Sequence, residues 1–432
     1  MVQKMRKMKA SGIEWIGEIP EGWEIKYFVQ LFSQVKNKNV GLCEKNLLSL
    51  SYGKIKQKSI ETVSGLLPAN FEGYNIIDRN DIVLRLTDLQ NDQHSLRVGL
   101  SHERGIITSA YCSIRVRGAE SPNYLYYYLH TFDIAKGFYG MGSGVRQGLN
   151  WDGLKYIKIL LPPQHEQDRI SVFLNQKTLE IDSMLSKTIS SIEEYKKLKQ
   201  AVITQAVTKG VRGEREMKDS GVEWVSYIPV DWNTIKLKYC TYIRARLGWR
   251  ALKADEYVES GFPFLSAFNI VNNALHFTNL NYINQFRYDE SPEIQLKVGD
   301  VLLVKDGAGI GKCAIVENMP TPSTVNGSIA VISSTSFITP KYLYYYFLSE
   351  MFQQHIDLLK DGMGVPHLFQ SDLKEIKIAF PSKDEQKEIA DYLDAKCAEI
   401  DRLIAKKEQL VKELEGYKKS LIYEVVTGKR EV

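Results

Sequence analysis

Residues 305 to 313, KDGAGIGKC, combine three glycines with lysine, the residue types that cradle phosphate in nucleotide-driven enzymes. A phosphate-binding loop requires G-x-x-x-x-G-K followed by Ser or Thr, whose hydroxyl ligates magnesium. Here Asp306 stands where the first glycine is required, and Cys313, which follows the lysine, offers no hard oxygen to magnesium. Short β-rich runs, Gly299 to Asp306 and Cys313 to Asn318, flank the glycines. The pattern therefore predicts a β-hairpin rather than a nucleotide site.

Other residue types that carry chemistry are scattered along the chain. The five cysteines form no C-x-x-C pair and have no histidine at ligand spacing, so neither a structural zinc nor a disulfide framework is predicted. The seven histidines form no cluster, and His367 stands alone in a glycine-rich stretch. An amino-methyltransferase would carry Asn or Asp before Pro-Pro and an aromatic residue, but here Pro162-Pro163 follows two leucines. No G-x-G fingerprint opens a βα unit, so we expect no catalytic residue, no metal and no cofactor on this chain.

Composition bounds the class of protein. A chain of 432 residues suggests two or three domains, and 44% hydrophobic with 25% charged residues is typical of a globular protein. The sequence has no apolar run of about 18 residues and opens with no signal peptide, so we expect a cytoplasmic protein with no membrane partner. Lys and Arg number 56 against 52 Asp and Glu, a net charge of +4. A polyanionic partner must therefore be met by local basic patches.

The chain contains an internal duplication. MKASGIEWIGEIPEGW (Met8 to Trp23) returns as MKDSGVEWVSYIPVDW (Met217 to Trp232), 209 residues later. YIKILLPPQHEQDRI (Tyr156 to Ile170) matches EIKIAFPSKDEQKEI (Glu375 to Ile389), 219 residues later. Matches of this length indicate duplication rather than chance. The repeat also argues against a nuclease E-x-K motif at Glu375, because the matching triplet begins with Tyr156 and lacks the acid.

Between the matched ends the two halves diverge. Residues Asn46 to Asn75 have no recognisable partner near Gly248 to Ile270. A duplicated enzyme would be expected to repeat its catalytic residues, whereas a reader of two different targets would keep a common frame and vary its contents. The pattern favours the reader.

Each half ends in a predicted long helix. After Pro163, and again after Pro381, a charged stretch without interior proline runs to near Lys209 and Gly428. Apolar residues in these stretches recur at spacings of three and four, which predicts a coiled-coil seam. The predicted seam comprises Ile181, Met184, Ile192, Tyr195, Leu198, Ile400, Leu403, Leu410, Leu414, Tyr417 and Leu421.

Connectivity predicts the layout. The helix that follows the second globular part can pack along the first helix only by returning, so the pair must be antiparallel. The expected fold is α+β, with two globular α/β domains joined by two long antiparallel coiled-coil helices and related by pseudo-twofold symmetry, as suits duplex DNA. The expected segments are a first globular domain at 1–161, a central helix at 162–209, a second globular domain at 210–380 and a C-terminal helix at 381–432.

Three repeated motif pairs carry a family resemblance: the openings SGIEWIGEIP and SGVEWVSYIP, the helix entries LPPQHEQ and FPSKDEQ, and the endings AVTKG and VVTGK. Together they resemble the specificity subunit of a type I restriction-modification system. The resemblance implies two target-recognition domains, each reading half of a bipartite site in double-stranded DNA, with the helices setting the spacer. It also implies docking of two methyltransferase subunits that use S-adenosylmethionine, and a motor-nuclease subunit that uses ATP and magnesium. The subunit resembled is not itself an enzyme.

DNA contacts are expected on loops, because Arg, Lys, Asn and Gln read base edges and positive charge meets phosphate. The first half offers SYGKIKQK and RLTDLQND, and runs resembling SLSYGKI and IVLRLTDLQND recur in one class of family recognition domains, whereas RARLGWR in the second half resembles another class. The candidates in the first half are Lys54, Arg85, Gln90, Asn91, Arg97, Arg146 and Gln147, and those in the second half are Arg244, Arg246, Arg250, Lys305, Lys312 and His367.

Two other functions are compatible with the same sequence. A detached recognition arm or a decoy would bind a methyltransferase without productive DNA targeting, and copurification followed by sequence-specific DNA retention separates it from a specificity subunit. An enzyme on a duplicated scaffold would need polar residues repeated in both halves. The shared residues are mainly apolar, aromatic, Pro or Gly, which disfavours that class.

Overall fold

The computed structural model describes residues 6–58, 71–89, 92, 96–141, 148–245, 256–360 and 366–432. Its contacts divide the chain into two units. The first unit comprises Met1–Ile189 and Gln409–Val432, and the second comprises Ser190–Glu408. Each unit therefore contains one globular part and pieces of both long helices.

The first unit is built from short strands and a few helices. Its strands are β1 (Met8–Ala10), β2 (Glu18–Pro20), β3 (Glu24–Tyr27), β4 (Phe32–Gln34), β5 (Leu48–Ser51), β6 (Lys54–Gln57), β7 (Asn75–Ile77), β8 (Ile82–Leu84), β9 (Val98–Leu100), β10 (Gly105–Ile107), β11 (Cys112–Val116) and β12 (Lys158–Leu161). Its helices are α1 (Phe28–Leu31), α2 (Pro122–Ile134), α3 (Trp151–Leu154) and the first part of α4 (Gln164–Lys209).

The second unit follows the same general plan. Its strands are β13 (Met217–Val222), β14 (Val225–Pro229), β15 (Asn233–Lys236), β16 (Thr241–Arg244), β17 (Phe262–Leu265), β18 (Ile270–Val271), β19 (Ala274–Leu275), β20 (Asn281–Ile283), β21 (Val301–Val304), β22 (Cys313–Ile315), β23 (Thr324–Val325), β24 (Ile329–Ser334) and β25 (Lys377–Phe380). Its helices are α5 (Leu237–Cys240), α6 (Gln285–Asp289), α7 (Pro340–Leu348), α8 (Glu350–Leu359), α9 (Gln370–Glu375) and the first part of α10 (Lys383–Val426).

Both units contain the same four-stranded antiparallel sheet. The strand order is β4-β11-β8-β9 in the first unit and β16-β24-β21-β22 in the second. Strands β8, β9 and β21 are buried along their whole length, and apart from Gly99 they consist of Val, Ile and Leu, as is typical of a buried strand. The duplication therefore includes segments in which the sequence alone shows no match. Between the matched ends, the two halves differ less in structure than the sequence analysis expected.

The two long helices pair antiparallel, as predicted. Within the first unit, Lys418 Nζ of α10 lies 2.5 Å from the Asp182 carboxylate of α4. Within the second unit, Lys199 Nζ of α4 lies 2.7 Å from the Asp401 carboxylate of α10. Residue numbers thus rise along one helix while they fall along the other, which confirms the predicted direction.

The predicted seam is only partly buried. Its buried members are Ile181, Ile192, Ile400 and Leu421, and its half-buried members are Tyr195, Leu403 and Leu414. Four others are exposed: Met184, Leu198, Leu410 and Tyr417. Two paired helices cover only a narrow stripe on each other, so apolar positions at the margin of the stripe stay in contact with solvent. These four do not belong to the buried contact.

A tyrosine of each unit holds the end of a long helix. The Tyr124 hydroxyl lies 3.2 Å from the Val426 carbonyl at the end of α10, and the Tyr342 hydroxyl lies 3.2 Å from the Val207 carbonyl near the end of α4. Each hydroxyl also donates to a strand carbonyl, in β12 and β25. Burial raises the pKa of both tyrosines well above the ordinary value, so both remain donors. Tyr124 and Tyr342 are thus fully buried core residues.

None of the helices in the described part of the chain is both long enough and apolar enough to cross a lipid bilayer.

Candidate nucleic-acid interface

The candidate loops of the two units occupy equivalent places. Arg85 follows strand β8 directly, and Lys305 follows the equivalent strand β21. A later segment docks beside each of them. The Leu149 amide donates to the Leu86 carbonyl (2.9 Å), and the Leu368 amide donates to the Lys305 carbonyl (2.9 Å). The two pairs are related by the same 219-residue offset as the sequence repeat, so candidates from both halves lie at one end of equivalent sheets.

The KDGAGIGKC stretch is a β-hairpin, as predicted. Strands β21 and β22 pair antiparallel, with Leu303 opposite Cys313. Gly311 has a φ of +89°, and a Cβ there would come within 2.5 Å of Gln353 Oε1. The Gln353 side chain donates to the Gly311 carbonyl (2.9 Å) from helix α8. The glycines therefore allow a tight turn to pack beneath a helix rather than cradle phosphate.

An aspartate that the sequence analysis did not select organises the candidate cations of the second unit. The Asp306 carboxylate contacts Lys305 Nζ (2.9 Å) and also His367 Nδ1. The backbone completes the arrangement, because the Gly307 amide donates to the Pro366 carbonyl (3.0 Å). One carboxylate thus orients both Lys305 and His367, whereas Lys312 of the same hairpin is exposed. In the sequence, only the position of Asp306 next to Lys305 indicated this role, because its other partner, His367, comes from a distant segment.

Arg97 is not a DNA-facing residue in this structure, which corrects the prediction. Its side chain is fully buried, with a relative exposure of 0%. The guanidinium donates to carbonyls of the loop that follows β8, namely those of Arg85 (3.1 Å), Thr87 (2.8 Å), Asp88 (3.2 Å) and Asp92. Sequence shows the charge of an arginine but not its burial. Arg97 holds the backbone of another candidate, Arg85.

Arg244 also has a structural role that the sequence analysis did not predict. Its guanidinium donates to Asp300 Oδ2 (2.8 Å) and to Ser333 Oγ (2.8 Å). Asp300 is buried, so the arginine neutralises a carboxylate inside the sheet rather than facing a ligand. The first unit has the same buried aspartate at Asp81, which accepts from Arg115 Nε (2.7 Å). The sequence did contain a sign of this pair, because Asp81 (in NDI) and Asp300 (in GDV) are separated by the same 219 residues as the repeat.

The remaining described candidates of the first unit lie at its surface. Arg85 is partly exposed, with Nη1 3.5 Å from the Asp92 carboxylate. Lys54 begins strand β6, and its Nζ lies 2.9 Å from the Asp182 carboxylate on α4. Burial by itself raises the pKa of the Asp182 carboxyl, but the ammonium groups of Lys418 and Lys54 outweigh burial and hold this pKa below its ordinary value. Lys54 is therefore tied to the helix pair in the absence of DNA.

Six candidates lie outside the residues that the structure describes: Gln90, Asn91, Arg146, Gln147, Arg246 and Arg250. Over the described ranges, no group of three His, Cys, Asp or Glu side chains is placed to hold a metal ion. Apart from Arg97 and Arg244, the described candidates are hydrogen-bonding and cationic side chains in or beside loops, a set suited to base edges and phosphates.

Comparison with known proteins agrees with this architecture. The family model described as Type I restriction modification DNA specificity domain matches residues 229–413. The MjaVIII type I restriction enzyme specificity subunit of Methanocaldococcus jannaschii is 25% identical over 419 residues, covering 95% of this chain and 93% of the relative.

Two solved structures share the fold at 15% identity. A chain from a structure concerning complex assembly and conformational transition of the type I R-M system gives a TM-score of 0.70, covering 95% of this chain and 99% of its own. The HsdS subunit from Thermoanaerobacter tengcongensis gives 0.52, covering 95% and 98%. With duplicated units, paired helices and loop-borne candidates, the chain is similar over nearly its whole length to type I restriction-modification specificity subunits.

Proposed function

We propose that this chain gives a type I restriction-modification complex its DNA sequence specificity, with each unit reading one half of a bipartite double-stranded site. The observation that carries the proposal is the common sheet with different side chains at equivalent loop ends. Arg85 and Thr87 stand in the first unit where Val304 and Asp306 stand in the second. Such substitutions on a fixed frame suit two different sequences of bases.

The chain is a non-catalytic subunit, and the chemistry belongs to its partners. The proposal assigns S-adenosylmethionine to two methyltransferase subunits, and ATP and magnesium to motor-nuclease subunits. Exposed apolar side chains on α4 support docking of a partner on the long helices. Val172 and Leu179 are one heptad apart and therefore share a helix face, and both are exposed. Burial of such a face is a common driving force for association.

Exchange of one recognition segment tests the division of labour between the units. The chain is expressed with its methyltransferase, and methylated adenines are mapped across the host genome. Replacing residues 24–155 with the matching segment of another specificity subunit should change one half of the methylated motif. The matched control replaces residues 233–374 and should change the other half.

Two results would contradict the proposal. A change in both halves after either replacement would mean that the units do not read independently. Absence of any methylated motif, together with copurification of the methyltransferase, would favour a decoy.

A further inference from the structure

Four loops of the second unit are joined by backbone hydrogen bonds at one end of its strands. The Leu265 carbonyl, at the end of β17, accepts from the Asn326 amide (2.8 Å). The Ser328 carbonyl accepts from the Lys305 amide (2.8 Å), and the Lys305 carbonyl accepts from the Leu368 amide (2.9 Å). We call these loops the loop rim: residues 266–269, 305–306, 326–328 and 366–368.

Phe268 projects from the loop rim into solvent. Its side chain has a relative exposure of 92%. The turn that carries it is held by the buried Asn269, whose Oδ1 accepts from the Ser266 amide (3.0 Å). The Asn269 amide group donates to the carbonyls of His276 (3.4 Å) and Thr278 (3.2 Å). A fixed turn thus presents a phenyl ring to water, which is unfavourable unless another surface covers the ring.

Other side chains of the loop rim are polar and are oriented by hydrogen bonds. Asn326 Oδ1 accepts from Ser328 Oγ (2.6 Å), which orients the Asn326 side chain. Asp306 orients Lys305 and His367, as described above. Amide, hydroxyl and cationic groups are the side chains that read base edges in the major groove. The loop rim therefore carries several hydrogen-bonding side chains and, at Phe268, one exposed apolar ring.

This combination matches the edges of base pairs better than a protein surface. A protein partner would require a contiguous apolar patch. The major groove instead displays donors and acceptors together with an apolar group, the 5-methyl of thymine, which phenylalanine contacts. We infer that Phe268 contacts the 5-methyl group of a thymine in the half-site read by the second unit. The inference rests on the proposed function, and any half-site methylated at adenine contains an A·T pair and hence a thymine.

Removal of the methyl group from DNA gives a direct test. The complex of the full chain with its methyltransferase is first used to identify the methylated motif. Binding is then measured on duplexes in which each thymine of the half-site is replaced in turn by uracil. At one position the replacement should weaken wild-type binding by about fourfold, the effect expected for one buried methyl group. Phe268→Ala should bind more weakly and show no further loss at that position.

The control is Phe286→Ala, an exposed phenylalanine on α6 of the same unit, which should keep the wild-type response to uracil. Equal binding by Phe268→Ala and wild type would overturn the inference, as would an unchanged uracil effect in the variant. A loss of binding in Phe268→Ala without any uracil-sensitive position in wild type would also overturn it and indicate stacking between bases. Failure to find any bipartite motif would instead contradict the proposed function.

Discussion

At the scale of single residues, Arg97 is central to the first unit because it ties together a loop rather than meeting a ligand. Arg97→Lys keeps the charge but cannot reach four carbonyls, and each buried carbonyl left unpaired costs about 1–3 kcal/mol. We expect a lower melting temperature and a relaxed first half-site in the methylated motif, with the second half-site unchanged. Methylome mapping and thermal unfolding check both effects.

The control for this prediction is Arg79→Lys, an exposed arginine of the same unit. It should leave both the motif and the melting temperature as in wild type. A full-strength, unaltered first half-site in Arg97→Lys would show that the loop does not take part in reading.

Arg85 is the candidate best placed for direct contact in the first unit, because it is partly exposed and directly follows the buried strand β8. If the guanidinium donates two hydrogen bonds to a guanine, Arg85→Ala should weaken DNA binding by about 1–3 kcal/mol and reduce base specificity at one position of the half-site. Binding to a panel of single-substitution duplexes at several salt concentrations measures this. A uniform loss across all sequences with a shallower salt slope would assign Arg85 to phosphate.

His130 predicts a pH dependence of the first unit. Burial, with Lys418 and Lys419 nearby, lowers the pKa of His130 to about 4 from an ordinary 6.5. The unfolded chain therefore binds this proton first, and stability is lost as the pH falls from about 6.5 towards 4. Asp133 acts in the opposite direction, because burial raises its pKa to about 6.

His130→Gln removes the first effect alone. Between pH 7 and pH 5, the melting temperature of this variant should fall less than that of wild type. The control variant His102→Gln, at an exposed position, should behave as wild type. Identical pH profiles for wild type and His130→Gln would show that the histidine is not held neutral by the fold.

Residue types alone predicted the chemistry at the loop ends but not which cations are free to act. Lys312 and Arg97 look alike in the sequence, yet one is exposed and the other is buried under four carbonyls. Burial depends on how β9 packs against its neighbours, and no local pattern contains that information. The same reason explains Arg244, whose partner Asp300 is 56 residues away.

At the scale of elements, each four-stranded sheet contains a buried aspartate that an arginine neutralises, but the arginine comes from a different strand in each sheet. A buried aspartate precedes the equivalent strands β8 and β21. Arg115 on β11 neutralises Asp81, whereas Arg244 on β16 neutralises Asp300. The counter-charge has thus moved to a different strand while the aspartate has kept its place, so both units need the pair but not a fixed donor.

Breaking either pair should destabilise one unit. Asp300→Ala leaves the Arg244 guanidinium without its carboxylate, and loss of one partner of a buried pair costs about 3–5 kcal/mol. Hydrogen exchange should accelerate in β21 and β24 and remain slow in β8 and β11, and Asp81→Ala should give the reverse. Asp289→Ala, at an exposed position of the second unit, is the control. Equal acceleration in both units would contradict the independence of the two sheets.

Elements with a clear period were predictable, and those defined by long-range pairing were not. The hairpin and both long helices follow from β-rich runs, helix formers and the absence of proline. The order of β4, β11, β8 and β9 depends on contacts between segments that are far apart in the sequence. Strands of three or four residues carry too little pattern to predict such pairing.

At the scale of the whole molecule, both long helices contribute residues to both units. The proposed function assigns them the distance between half-sites, and paired insertions test that assignment. Seven residues inserted after Lys197 of α4 and seven after Arg402 of α10 fall between the Lys199–Asp401 ion pair and the contact of Lys407 Nζ with the Tyr195 ring (5.6 Å). Insertion at facing positions preserves the pairing on both sides.

One heptad adds about 10 Å at 1.5 Å per residue, or about three base pairs when a turn of about 10 pairs spans roughly 34 Å. Three added pairs also rotate a half-site by about a third of a turn, whereas a heptad departs from whole helical turns by only about 20°. The one-heptad variant should therefore methylate a site with a longer spacer at reduced efficiency. Three heptads per helix add about 31 Å, close to one DNA turn, and should restore efficiency with about nine extra pairs.

An insertion in α4 alone should abolish methylation because it breaks the pairing. Methylome sequencing decides the matter: an unchanged spacer at full activity would show that the helices do not set the distance, and altered half-sites would show that they help to read bases.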